Sequence, residues 1–199
     1  MPDPDLRDFV PALLPYRPDR FRVSSQVRAR LRQACSRGPD WVSCEQIGES
    51  EEGRPIDGVR LGRGDRLVHL VAGAHSDEPV GPETLRTLVL GGVREAGRLE
   101  ELFDAVTFLV VPHMNPDGEV ENRKWTSRWP DPAAFLKHRF RELPGRDLEF
   151  GYPDMRPENE AVAGWLRGRG PVDLHMSLHG MSLGEGALLL IERGWIDRT

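Results

Sequence analysis

The segment His75-Ser76-Asp77-Glu78 sets an imidazole and a carboxylate three residues apart, just after the apolar run Leu67-Val68-His69-Leu70-Val71-Ala72 and the turn Gly73-Ala74. Both side chains bind divalent ions, and open α/β sheets hold their ligands at the carboxyl ends of their strands. A hydrolytic zinc centre of two His and one Glu needs one more imidazole from a distant part of the chain. Its fourth position is left to water, which the ion activates toward an amide carbonyl.

Residues 172–179 carry His175, Ser177 and His179 on one face of an expected strand. Positions 175 and 179 lie about 13 Å apart along an extended chain, so one of them at most can join His75 and Glu78. His179, followed by Gly180, stands at the carboxyl end, on the edge that His75 occupies, and is the better placed. His175 stays as the alternative, with a core role as its other reading.

These candidates require a scaffold of alternating strands and helices. Residues 1–21, rich in Pro, Asp and Arg, read as an extended arm, and 22–199 as one domain. Ser24 or Ser25 can cap a helix carrying Val27, Leu31 and Cys35. Segments 41–47 and 56–61 read as strands joined by a hairpin-like turn. Segment 67–72 is a strand buried on both faces. A helix opened near Pro82 carries Leu85, Leu88, Val89 and Val93. Further strands are expected at 106–111, 172–178 and 187–191, and a helix from Arg156-Pro157-Glu158 with Ala161, Val162 and Trp165 inward. Residues 119–155 read as a long charged excursion with one short helix after Asp131-Pro132, a feature that is often functional. The alternation predicts an α/β fold: one domain with a mixed, mostly parallel sheet and flanking helices.

Composition narrows the function. The chain has 199 residues, 38% hydrophobic and 30% charged, with net charge −5. That sign argues against a nucleic-acid partner, and no run reaches the ~18 apolar residues of a membrane span. The N-terminus lacks the basic and apolar regions of a signal peptide, so a cytoplasmic location is expected. Two cysteines, Cys35 and Cys44, make neither a disulfide framework nor a Cys-rich zinc site. No phosphate loop, serine nucleophile elbow or Cys-His pair competes with the metal reading. The oligomeric state stays open.

Four stretches together resemble the zinc carboxypeptidase family: Ile47 to Ile56, Gly73 to Glu78, Asn115-Pro116-Asp117-Gly118, and Ser177-Leu178-His179-Gly180. They follow the family's order. The resemblance implies a hydrolase that cleaves a peptide bond through a zinc-activated water, with zinc on His75, Glu78 and His179. It also implies an oxyanion-stabilising arginine soon after the Asn-Pro-Asp-Gly loop. Arg123 is the first choice and Arg128 the next, with Arg128 and Asn115 as substrate contacts. Asn115 and Asp117 are also turn formers. A peptide is the substrate implied. An N-acyl amino acid is the alternative, as in the related succinylglutamate desuccinylase and aspartoacylase group.

Two departures stand out. The family's Asn-Arg pair, which grips a terminal carboxylate, falls at Glu149-Phe150 in Asp147-Leu148-Glu149-Phe150. A carboxylate there repels another carboxylate. Arg139, Arg141 or Arg146 can take over the grip, or the substrate presents an amine, an amide or a modified peptide. The family's general base, a Glu on a later strand, has no counterpart before Thr199; Glu185 and Glu192 lie too near His179. The domain therefore reads as truncated, with weak or no turnover by this chain alone, or as a non-catalytic zinc-binding fragment.

Overall fold

Period and burial agree along most of the chain. In the computed structural model, which describes residues 20–180, helix α1 (Ser24–Arg37) turns Val27, Leu31 and Cys35 inward. Strands β1 (Val42–Glu49) and β2 (Pro55–Leu61) pair as the expected hairpin, Val42 opposite Leu61 and Glu49 opposite Pro55. Then follow β3 (Arg66–Ala72), α2 (Val80–Arg94), α3 (Glu100–Ala105), β4 (Val106–Val111), α4 (Pro116–Thr126), α5 (Pro132–His138), α6 (Pro157–Arg167) and β5 (Leu174–Leu178). The anticipated strand at 187–191 and most of the anticipated arm lie outside the described residues.

The sheet is mixed, in the order β1-β2-β4-β3-β5. β2 runs antiparallel to β1 and β4, and β3 runs parallel to β4 and β5. Both faces are covered. Leu70, Ala72 and Val110 join Val27, Leu31, Leu85, Val89, Leu99 and Phe103 on one side. Val71, Leu109 and Val111 join Leu148, Val162 and Trp165 on the other. This two-sided burial is why β3 and β4 read as near-continuous apolar runs rather than alternating ones. The chain leaves β3 for β4 on one side and returns to β5 on the other. The carboxyl end of β3 is thus a topological switch point, where such sheets bind ligands.

Two local expectations need correction, and one short helix was not anticipated. Neither Ser24 nor Ser25 caps α1 with its own side chain. Gln26 Oε1 accepts from Val23 N–H, and the Glu119 carboxylate accepts from Ser24 N–H at 2.7 Å. Helix α3 is too short to show a period. Helix α4, part of the charged excursion, escapes because its inward positions include the polar Glu119 and Asn122 beside Trp125. Asn122 is 1% exposed and fully used: it bonds Ser76, Gly118 O, Phe140 and Trp125. Buried polar residues stay helical when every polar atom is satisfied, but they erase the apolar stripe that marks a helix in sequence.

Two buried histidines give the fold an acid limit. His69 is held near pKa 4 by burial and by neighbouring His175. His113 is held near 4 by burial above all; Glu119 pulls it up and Arg86 pushes it down. The unfolded chain takes up these protons near pH 6.5 and the folded chain only near 4. Stability is therefore lost as pH falls through that window. Unfolding free energy from urea titrations should drop by roughly 2–3 kcal/mol between pH 6.5 and pH 5. A flat profile there would contradict the neutral burial of both rings.

Candidate metal centre

Register decides which residues meet. β3 and β5 are neighbours with Ala72 opposite Leu178, so the segments that follow them emerge side by side. After Ala72 the chain turns at Gly73, whose φ is +77°. A Cβ on Gly73 would lie 2.4 Å from His113 Nδ1, so only glycine fits this turn against the buried ring. His75 and Glu78 follow on that edge, and His179 comes directly after β5.

The three side chains converge. His75 Nδ1 lies 3.1 Å from Glu78 Oε1, and His179 Nδ1 lies 2.9 Å from Glu78 Oε2 and 3.1 Å from His75 Nδ1. Zinc bonds of about 2.0–2.2 Å to N and O donors in a tetrahedral shell imply donor separations of about 3.3–3.5 Å, close to those found. Two imidazoles and one carboxylate are also the right donor chemistry, and among the described residues this is the one group of three His, Cys, Asp or Glu side chains whose ligand atoms all lie within 4.8 Å of one another. The residues present fit a zinc ion.

The surroundings hold the trio in place. The Asp77 side chain is fully buried and accepts from Arg139 and, at 2.9 Å, from Arg141. Arg141 also donates to Glu78 Oε1 at 2.9 Å, which ties residues 139–141 across the His75 loop. Gly180 N–H donates to Glu78 Oε2 at 3.0 Å. On the far sides of the two imidazoles stand two more carboxylates. Asp147 Oδ2 is 3.1 Å from His75 Nε2, though no hydrogen bond to that nitrogen is completed. Glu149 Oε2 is 3.5 Å from His179 Nε2. Between Asp147 and Glu149, Leu148 is 0% exposed in the second core cluster and anchors the segment.

Charge follows from this layout. Burial works to raise the Glu78 pKa, but His179, the Gly180 N–H, Arg141 and His75 more than offset it and hold the carboxyl at about 2. Glu149 and Glu78 raise His179 to about 10 against the opposing effect of burial. A metal ion bound here would have to displace that proton, since only the neutral imidazole can be a ligand.

The remaining expectations divide. His175 does not join the trio; its Nδ1 lies 2.8 Å from His69 Nδ1, deeper along the sheet. Asn115 is 0% exposed; its side chain accepts from Gly118 N–H to cap α4 and donates to Glu142. That is the turn-forming role. Arg123 and Arg128 are exposed on and just after α4, and neither side chain makes a hydrogen bond or ion pair among the described residues. The guanidinium that reaches the trio is Arg141. Its signal in sequence was only its place in an Arg-rich stretch before Asp147. Phe150, at the family's Arg position, is 78% exposed. Trp125 packs against Phe135 and Trp129, and Trp129 against Phe21. Glu185 and Glu192 lie outside the described residues.

Comparisons with known proteins bear on the family and the fold. A family model described as zinc carboxypeptidase matches residues 27–184. Carboxypeptidase E of Caenorhabditis elegans is 27% identical over 154 residues, covering 68% of this chain and 30% of the relative. Human carboxypeptidase D is 28% identical over 207 residues, covering 83% and 15%. The chain thus spans less than a third of either relative's length. Among solved structures, a metallo-carboxypeptidase from Burkholderia cenocepacia superposes with a TM-score of 0.54 at 27% identity, over 78% of this chain and 40% of that one. Bovine thrombin-activatable fibrinolysis inhibitor, solved in complex with tick carboxypeptidase inhibitor, superposes with a TM-score of 0.62 over 81% and 61%. At 18% identity that likeness shows the fold alone. With the family model matching most of its length, the chain belongs to the zinc carboxypeptidase family.

Proposed function

We propose that His75, Glu78 and His179 hold a zinc ion and that the site serves hydrolysis of an amide bond in a peptide. The observation that carries the proposal is the convergence of the two imidazole Nδ1 atoms, 3.1 Å apart, on the two oxygens of the Glu78 carboxylate, at 3.1 and 2.9 Å, at the switch point of the sheet. When bound there, zinc lowers the pKa of a water molecule toward ~7 and polarises the scissile carbonyl. The chain's own residues supply position and charge. Asp77 fixes Arg139 and Arg141. Arg141, one-third exposed beside Glu78, is the cation available to a substrate carbonyl or carboxylate oxygen. Family membership and the donor set support the zinc reading.

The test is direct. Equilibrium dialysis should give about one zinc per chain, removable by a chelator, and a value near zero rejects the centre. A substrate panel should then separate the classes: peptides with free C-termini, the same peptides amidated, and N-acyl amino acids. Glu149 at the clamp position disfavours the free carboxylate, so the amidated peptides should be processed at least as well. A strong preference for free C-termini would show that an arginine such as Arg141 has taken over the grip. Turnover confined to N-acyl amino acids would overturn the peptide reading.

A further inference from the structure

We infer that Glu149 and Ser177 form a relay that fixes the orientation and tautomer of His179, so that its Nδ1 faces the ion. This rests on the zinc reading above. Ser177 and His179 lie two residues apart, and the Ser177 hydroxyl lies 3.1 Å from His179 Nε2. The same hydroxyl donates to Glu149 Oε2 at 3.0 Å. A hydroxyl has one proton to give, and it goes to Glu149, so toward His179 its oxygen is an acceptor. That assignment requires the proton of the neutral imidazole to sit on Nε2. Nδ1 then carries the lone pair, and Nδ1 is the atom that meets His75 and Glu78. The Glu149 carboxylate, 3.5 Å from the ring nitrogen, adds charge to the same end of the imidazole. Ligand histidines commonly donate their other N–H to a carboxylate or similar acceptor, and losing that partner typically costs 10–100-fold in metal affinity.

The relay also accounts for the departure in sequence. The carboxylate at position 149 is spent on Ser177 and His179, and Leu148, sealed in the core, holds it there. Glu149 is therefore a positioning residue, acting through another side chain.

The experiment is a double-mutant cycle on zinc affinity, read by competition with a chelating dye. Glu149→Ala should weaken binding 10- to 100-fold, and Ser177→Ala by a smaller factor. Because the two act in one relay, the double variant should bind no more weakly than Glu149→Ala, so the single effects should not add. Glu149→Gln, which still accepts from Ser177, should recover part of the loss. Cobalt substituted for zinc should show a shifted visible spectrum in Glu149→Ala, which a loss of fold stability alone would not produce. Wild-type affinity in Glu149→Ala, or additive losses in the double variant, would overturn the relay while leaving the metal centre standing. Wild-type protein that takes up no zinc would overturn both.

Discussion

Zinc affinity should fall by roughly 100- to 1,000-fold when His179 is replaced by alanine, and should stay within about twofold of wild type when His175 is replaced. The scale comes from structural zinc sites, whose apparent binding free energy of ~10–16 kcal/mol is shared among four ligands. One ligand is then worth several kcal/mol, tempered because water can enter the vacated position. The contrast between the two histidines is the sharper part. Sequence alternation puts them on one face, yet His179 Nδ1, just past the end of β5, stands 3.1 Å from His75 Nδ1, while His175 Nδ1 stands 2.8 Å from the buried His69. Competition titration of both variants at pH 7 decides the matter. Equal affinities would mean that the donors gathered around Glu78 are not the ligands. His75→Ala and Glu78→Ala should behave like His179→Ala.

The second large effect lies behind the site. The Arg86 side chain is 2% exposed; it donates to Glu119 at 2.7 Å, to Ser24 Oγ at 2.9 Å and to Arg22 O, with Glu83 at 3.9 Å. Burial tends to raise the Glu119 pKa, but His113 and Arg86 outweigh it and keep the carboxylate ionised. Arg86→Met keeps most of the volume and removes the charge, leaving the Glu119 carboxylate buried with the Ser24 N–H and a His113 ring that is neutral above about pH 4. Breaking a buried pair in this way costs about 3–5 kcal/mol. Urea unfolding should show that loss as a lower midpoint with an unchanged slope. Lys124→Ala, which removes an exposed pair with Glu121, should change stability by less than about 1 kcal/mol. A loss below 1 kcal/mol for Arg86→Met would show that the network contributes only orientation. The consequence reaches function, because this network joins α1, α2 and α4, and α4 carries Asn122, which holds Ser76 beside His75.

Much of the scaffold was legible because burial imposes a period. β4 is the near-continuous apolar run Val-Thr-Phe-Leu-Val-Val, and the sequence places it at 106–111, as found. α6 begins where Arg156-Pro157-Glu158 announces it and buries Val162 and Trp165. α4 was illegible for the converse reason: the residues on its inner side are held by hydrogen bonds rather than by apolar area, and no spacing rule records that.

The same division runs through the site. Residue types and strand ends alone nominated His75, Glu78 and His179, because a strand buried on both faces can present ligands only where it stops. What no linear reading could supply was the partner of each charge. Arg141, Asp147 and Glu149 come from the excursion after α5, whose path over the sheet is set by the fully buried Asp77 and by Leu148 in the core. Asn115, Arg123 and Arg128 stood near the motif in sequence but ended in a cap and on the solvent side. Short-range chemistry is written in spacing. Which distant charge neutralises which depends on where the packed core forces the chain to run, and that only the tertiary structure decides.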